Sequence, residues 1–278
     1  MRPKMANRPQ ARRSLGQNFL AHQGVCESII RLSGFNCGDT VIELGPGLGA
    51  LTRTLAPRVK RVMGIELDRR LIEYVEANEG FGRNVEIRNQ DMLDVSYGGI
   101  SRELGTRLRI IGNLPYNISS QILFKLVDER DFVDFAVLMF QKEVADRLLS
   151  VPGTKDYGVL PVIVGYCADI SRLLNIPPGL FRPKPKVVST VVKIRFRPPG
   201  LQALDFAFFS LLVKAAFGKR RKKLSNALKG LACIDEGLIY DALSACGIKE
   251  SLRAEELAVD DFVCIANRLC ETARVNVL

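Results

Sequence analysis

Five consecutive residues, Asn113-Leu114-Pro115-Tyr116-Asn117, gather groups that can do chemistry. They follow Leu108-Arg109-Ile110-Ile111-Gly112, an apolar run that reads as a buried strand. A strand ending in Asn-x-Pro-aromatic puts an amide, a backbone carbonyl and a ring at the edge where open α/β sheets bind ligands. Such a stretch can grip an extruded adenine. The N6 amine is a poor nucleophile because its lone pair is delocalised into the ring. Two acceptors, the Asn113 side-chain oxygen and the Leu114 carbonyl, would bias it toward a pyramidal shape and aim the lone pair at a methyl donor. Pro115 would hold the chain without a competing donor, and Tyr116 would stack on the base. The work of such a site is mostly positioning. The alternative is a proline turn ending the strand, with Tyr116 in the core.

A second group could hold the methyl donor. Glu43-Leu44-Gly45-Pro46-Gly47-Leu48-Gly49 lies between a strand signature, Thr40–Leu44, and a helical run, Ala50–Leu55. Gly45 and Gly47 let the backbone approach a ligand without a Cβ in the way. The pattern Gly45-x-Gly47-x-x-Ala50 fits a dinucleotide loop; Glu43-x-Gly45-x-Gly47-x-Gly49 has the form typical of S-adenosylmethionine sites. A carboxylate two residues before the first glycine sits badly beside a pyrophosphate and suits a cofactor with an ammonium group. Glu66, about 20 residues past the loop, can accept both hydroxyls of a ribose. Asp91 also follows a strand pattern, 85–89, and can accept from the amine of a cofactor adenine; it can equally be an N-cap or turn residue.

Charge points to the partner. Lys and Arg number 40 against 30 Asp and Glu, a net +10, which favours a polyanion such as nucleic acid or an anionic membrane surface. The basic residues cluster. Arg12 and Arg13 lie in an N-terminal arm, Lys184 and Lys186 in Phe181-Arg182-Pro183-Lys184-Pro185-Lys186, and Lys219-Arg220-Arg221-Lys222-Lys223 is the densest run. Alternating prolines would hold the 181–186 segment extended, and Phe181 in a rigid basic loop reads as a stacking face for the opposite side of the base. The other reading is a hairpin connection with Phe181 tucked inward. The 219–223 run is either a solvated face or a phosphate contact. Seven scattered cysteines and one histidine leave no metal-ligand spacing. They read as core thiols of a reduced, cytoplasmic protein. No apolar run is long enough to span a membrane.

The elements that must position these residues alternate as in an α/β fold. Strand patterns occur at 40–44, 61–65, 85–89, 108–112 and 132–140, then at 170–176 and 187–196, with a helix between over 157–167. Arg197-Pro198-Pro199-Gly200 is a linker. Beyond it the period becomes helical throughout. The expected organisation is a basic arm and strap at 1–20, an α/β domain at 21–197 and a small all-α domain at 201–278.

Taken in order, these motifs resemble the KsgA/RsmA family of ribosomal RNA adenine dimethyltransferases. The resemblance rests on Gln17-Asn18-Phe19-Leu20, the Glu43–Gly49 loop, Glu66-Leu67-Asp68, Asp91, Asn113-Leu114-Pro115-Tyr116-Asn117, Phe181-x-Pro183-x-Pro185-Lys186-Val187 and Arg253-Ala254-Glu255-Glu256-Leu257. It implies a seven-stranded Rossmann-like methyltransferase sheet with its last strand antiparallel, and an all-α, RNA-binding C-terminal domain. It implies S-adenosylmethionine as cofactor, with Asn18, Leu20, Gly45, Glu66, Asp91 and Asn113 in contact with it. It also implies a monomer that dimethylates two adjacent adenosines near the 3′ end of small-subunit rRNA, late in subunit assembly. Lys219 stands where the family tends to carry Gln before its Arg-Arg pair. The rival readings are a large-subunit adenine methyltransferase of the macrolide-resistance type, a non-catalytic assembly factor, and an NAD-dependent oxidoreductase. The last leaves Glu43, the Asn113 stretch and the basic charge unexplained.

Overall fold

Short apolar runs alternating with amphipathic stretches fold as strands and helices in turn. The structure is a computed structural model. It describes residues 8–78, 80–219, 222–229, 231 and 234–275. In chain order the elements are β1 (Phe19–Leu20), α1 (Gln23–Ser33), β2 (Thr40–Leu44), α2 (Ala50–Leu55), β3 (Arg61–Glu66), α3 (Arg69–Asn78), β4 (Val85–Asn89), α4 (Tyr97–Leu104), β5 (Leu108–Gly112), α5 (Ser119–Asp128) and β6 (Val133–Gln141). They continue as α6 (Lys142–Leu148), α7 (Val159–Cys167), β7 (Ala168–Ile176), β8 (Phe181–Arg182), β9 (Ser189–Phe196), α8 (Phe206–Gly218), α9 (Leu224–Leu228), α10 (Glu236–Ala245) and α11 (Val259–Val275).

Seven strands form one sheet in the order β4-β3-β2-β5-β6-β9-β7. The run from β4 to β6 is parallel, and β9 is antiparallel to β6. The chain winds outward from β2 through β3 to β4, returns to β5, and then winds the other way. The crevice outside the C-terminal ends of β2 and β5 is therefore the topological switch point, where open sheets bind ligands. Register places Leu44 opposite Gly112. The glycine loop and the Asn113 turn thus leave the sheet from adjacent strands, about 4.8 Å apart. Glu66 lies opposite Asn89, which sets Asp91 just past the end of the neighbouring strand.

A second, two-stranded sheet corrects the reading of Phe181. β1 pairs antiparallel with β8, Leu20 opposite Phe181 and Phe19 opposite Arg182. Strand alternation turns Phe181 inward and Arg182 outward. Phe181 is fully buried in a core with Leu20, Ile30 and Val191. It is not an exposed stacking face. Burial of a phenylalanine is worth about 1.5–3 kcal/mol, which an exposed loop position would forgo.

The chain packs as two units, one running up to Ala145 and including 169–196, the other comprising 146–168 and the chain from Arg197 onward. The helical unit therefore takes in 146–168, which the sequence pattern assigned to the α/β part. The cause is α7, Val159–Cys167 with the sequence VLPVIVGYC. A helix apolar on all faces is buried all round. Just ahead of α7, Tyr157 meets Phe217 of α8 edge-on at 6.0 Å; from α7 itself, Tyr166 packs on Phe209 of α8 at 5.0 Å. In the same unit, Cys246 and Cys264 form a disulfide. This corrects the expectation that the cysteines are all unpaired thiols. The packing of α10 beside α11 brings their Cα atoms to 6.0 Å, and nothing in a separation of 18 residues announces it. Cys26 and Cys167 are buried and take part in no disulfide, as expected.

Candidate active site

Where β2 and β5 end, a cleft enclosing about 1140 Å³ of space opens toward solvent. Its walls include Asn18, Leu20, Glu43, Gly45, Gly47, Glu66, Asp91, Asn113, Leu114, Pro115 and Tyr116. One cleft thus gathers the glycine loop, both strand-end carboxylates, the strap and the Asn113 turn. Phe181 lies outside it, in the core.

The glycine loop turns through left-handed backbone at Gly45, Gly47 and Gly49, with φ of 70°, 60° and 80°. Only glycine adopts these angles readily. Two bonds fix the loop: the Gly45 N–H donates to the Ile65 carbonyl at 2.9 Å, and the Gly47 N–H to Glu66 Oε2 at 2.9 Å. Glu66 Oε1 accepts from the Asp68 N–H at 2.9 Å. The carboxylate keeps acceptor capacity for a ligand hydroxyl beyond these bonds. Burial raises the Glu66 pKa, with the amides of Asp68 and Gly47 opposing.

Glu43 is buried under this loop, 1% exposed. Burial pushes its carboxyl up to about 7, Thr52 pulling it down and the Glu66 charge pushing it further up. Among the described residues its Oε2 has no hydrogen-bond partner. A buried, unpartnered carboxylate oxygen in the cleft wall is what a ligand ammonium would satisfy. Asp91 uses Oδ1 to accept from the Leu93 N–H at 2.8 Å. That is the turn role anticipated for it; its second oxygen remains for a ligand. These groups together fit a cofactor carrying a ribose diol and a cationic amino-acid end.

The strap sets the other wall. Gly16 has φ +63°, and a Cβ there would lie 2.7 Å from Asn117 Oδ1, so the strap backbone presses directly on the Asn113 turn. The Asn113 Nδ2 donates to the Asn18 carbonyl at 2.8 Å. A carbonyl can only accept, so this bond decides which end of the amide is nitrogen. The Asn113 Oδ1 is left as an acceptor, and no donor among the described residues reaches it or the Leu114 carbonyl. Tyr116 is half-buried, and its hydroxyl bonds the Ser189 hydroxyl at 2.6 Å. Burial raises the Tyr116 pKa, the Ser189 bond opposing.

Two of these ties carry no side-chain signal in the sequence. The Asn18 contact is made by backbone. Asp68, buried beside Glu66, accepts from Arg70 Nη2 at 2.6 Å and from Gln17 Nε2 at 3.1 Å, and Arg12 Nη1 lies 4.0 Å from it. It anchors the strap, and it belongs to a motif from which no such role could be read. Of the basic candidates, Arg12 is partly engaged by this pair. Lys184, Lys186, Lys219, Lys222 and Lys223 are exposed. Arg220 and Arg221 lie outside the described residues, as does the Arg13 side chain. Among the described residues there is no metal-ligand cluster and no helix long and apolar enough to cross a membrane.

Comparison with known proteins agrees with this geometry. Residues 8–271 match the family described as ribosomal RNA adenine dimethylase. The ribosomal RNA small subunit methyltransferase A of Desulfotalea psychrophila is 37% identical over 262 residues, covering 91% of this chain and 89% of that protein. The crystal structure of a dimethyladenosine transferase from Plasmodium falciparum superposes with a TM-score of 0.77 at 27% identity, covering 93% of this chain and 98% of that one. The 23S rRNA methyltransferase ErmE shares the fold, with a TM-score of 0.65 at 24% identity over 91% of this chain and 99% of that one. A family match from residue 8 to residue 271, on a cleft shaped to hold a cofactor beside two free acceptors, makes this chain a methyltransferase and a member of the ribosomal RNA adenine dimethylase family.

Proposed function

We propose that this chain, a monomer in the cytoplasm, uses S-adenosylmethionine to dimethylate N6 of two adjacent adenosines near the 3′ end of small-subunit (16S) rRNA, late in subunit assembly. The observation that carries the reading is the acceptor pair, Asn113 Oδ1 and the Leu114 carbonyl, at the mouth of a cofactor cleft. An exocyclic amine has two hydrogens to give, and this pair takes both.

When bound, S-adenosylmethionine supplies a methyl group on a sulfonium cation. Glu66 would accept from its ribose hydroxyls, Glu43 from its ammonium and Asp91 from its adenine amine, while Gly45 and Gly47 would let backbone pass close. On the substrate side, Tyr116 offers its ring to an extruded base and Ser189 holds that ring in place. Asn113 and Leu114 hold the amine hydrogens and steer its lone pair toward the cofactor. Pro115 fixes the turn. No strong base is required, since the methylated amine sheds its proton readily. After one methylation a single N–H remains, so the base must reorient or re-enter for the second. Lys184, Lys186, the 219–223 run, Arg12 and Arg13 are the candidate phosphate contacts.

The test is methylation of purified, unmethylated small subunits with labelled cofactor, followed by mapping. The expected product is dimethyladenosine at two neighbouring 16S positions. Label in large-subunit rRNA, or none, would overturn the reading.

A further inference from the structure

A second, more open cavity of about 750 Å³ adjoins the cofactor cleft. Gly16, Asn18, Tyr116 and Asn117 line both, and Gln141 lines the second alone. Gln141 ends β6, so it too sits at the C-terminal edge of the sheet. It pairs directly with Ser189 of β9. Directly opposed residues of an antiparallel pair share a face, their Cβ atoms about 4.5–5.5 Å apart. The Ser189 hydroxyl in turn holds the Tyr116 hydroxyl at 2.6 Å. One short chain of contacts therefore moors the Tyr116 ring beside the Gln141 carboxamide. Gln141 is half-buried, and among the described residues its carboxamide has no hydrogen-bond partner. Neither the cofactor nor the acceptor pair uses it.

We propose that Gln141 is a specificity-determining residue, whose carboxamide N–H recognises a ring nitrogen of the target adenine. The inference rests on the reading of the site as an adenine-N6 methyltransferase. The acceptors at Asn113 and Leu114 account for both amine hydrogens. What remains on the hydrogen-bonding edges of adenine is acceptors, the ring nitrogens flanking the amine. An acceptor cannot recognise an acceptor, so the site still needs a donor. The Tyr116 hydroxyl is held at Ser189, and either oxygen can be the donor of that bond; the carboxamide of Gln141 is a donor in either case. Gln141 is an uncommitted donor that lines this cavity and not the cofactor cleft, whereas the exposed Asn117 carboxamide lines both.

Two variants test it on unmethylated small subunits. Gln141→Leu keeps the size and removes the hydrogen bonds. It should lower kcat/KM for the subunit about tenfold, the lower range of a base-edge contact, with cofactor affinity by calorimetry within twofold of wild type. Gln141→Glu keeps the shape but donates only when protonated. Its activity relative to wild type should be lowest near pH 8 and recover toward pH 5. Tyr116 is the titratable group lining this cavity, and burial holds it above its ordinary range near 10, so it stays neutral over that window. A Leu variant within twofold of wild type, or a Glu variant with no pH-dependent recovery, would overturn the inference. If the wild-type chain itself transfers no methyl to subunits, the functional reading falls and takes this inference with it. If wild type methylates while the Leu variant matches it, the inference falls alone.

Discussion

Asn113→Ala removes two different interactions at once, and the structure predicts a different size for each. The first is the bond from Nδ2 to the Asn18 carbonyl, 2.8 Å long and half-buried. A neutral hydrogen bond at such a place is worth about 1 kcal/mol net, and the released carbonyl lies beside an open cleft where water can reach it. Its loss should loosen the strap and weaken cofactor binding about fivefold. The second is the acceptor at Oδ1. As the amine attacks, its hydrogens gain positive charge, and a hydrogen bond to a charged partner is worth about 1.5–3 kcal/mol. That alone is roughly 10- to 150-fold in rate, at about 1.4 kcal/mol per factor of ten. The lost aim of the lone pair adds to it. Single-turnover methylation of subunits at saturating cofactor should therefore fall by about 100-fold or more, while calorimetry shows a cofactor Kd raised by less than about tenfold. A variant within threefold of the wild-type rate would refute the assignment. So would the reverse pattern, a collapsed cofactor affinity with a normal rate at saturation, which would make Asn113 a cofactor residue alone.

Other consequences follow from the same geometry. Glu66→Ala leaves the Gly47 and Asp68 amides without their acceptor and removes the proposed ribose acceptor, so the cofactor Kd should rise by about tenfold or more; unchanged calorimetry would take Glu66 out of the site. Phe181→Leu should lower the melting temperature and leave affinity for the subunit unchanged, and Phe181→Ala should cost about 3–5 kcal/mol of stability. A Leu variant with unaltered melting and a tenfold loss of subunit affinity would restore the stacking role. Glu43 titrates near 7 in the fold because of burial, against about 4.3 when unfolded. Between those values the folded state holds the extra proton, so the group lowers stability as pH rises, by up to about 1.4 kcal/mol per unit. Glu43→Gln should therefore gain in melting temperature relative to wild type between pH 5 and pH 8, and a constant difference across that range would rule the titration out.

Much of this site was legible because its residues sit at strand ends, where short apolar runs stop at Gly45, Glu66 and Asn113. The two strands that orient the site were not. β1 and β8 have two residues each and lie far apart in the chain, too short for alternation to show. The composition around Phe181, prolines between cations, reads as a solvated loop. Pairing with Leu20 overrides that composition and puts the ring in the core. α7 was legible as a helix but not as part of the helical unit, because an all-apolar segment names no single face to bury.

The same pairing accounts for the chemistry that the sequence left open. An asparagine side chain can donate or accept, and its sequence context does not say which end faces a substrate. Here the answer comes from the Asn18 backbone, one residue before β1. β8 holds β1, β1 places the Asn18 carbonyl, and that carbonyl turns the Asn113 oxygen toward the cleft. Phe181, buried opposite Leu20, is thereby linked to the Asn113 amide through backbone. The two roles separate cleanly in an assay. Loss of a stacking wall would lower affinity for the subunit and leave cofactor affinity alone. Loss of the strap's anchor would weaken the cofactor, because Asn18 and Leu20 line its cleft, and would lower the rate through a mis-set Asn113. A folded Phe181→Leu protein whose defect, once melting is accounted for, lies in cofactor affinity supports the coupling; a defect confined to subunit affinity would break it.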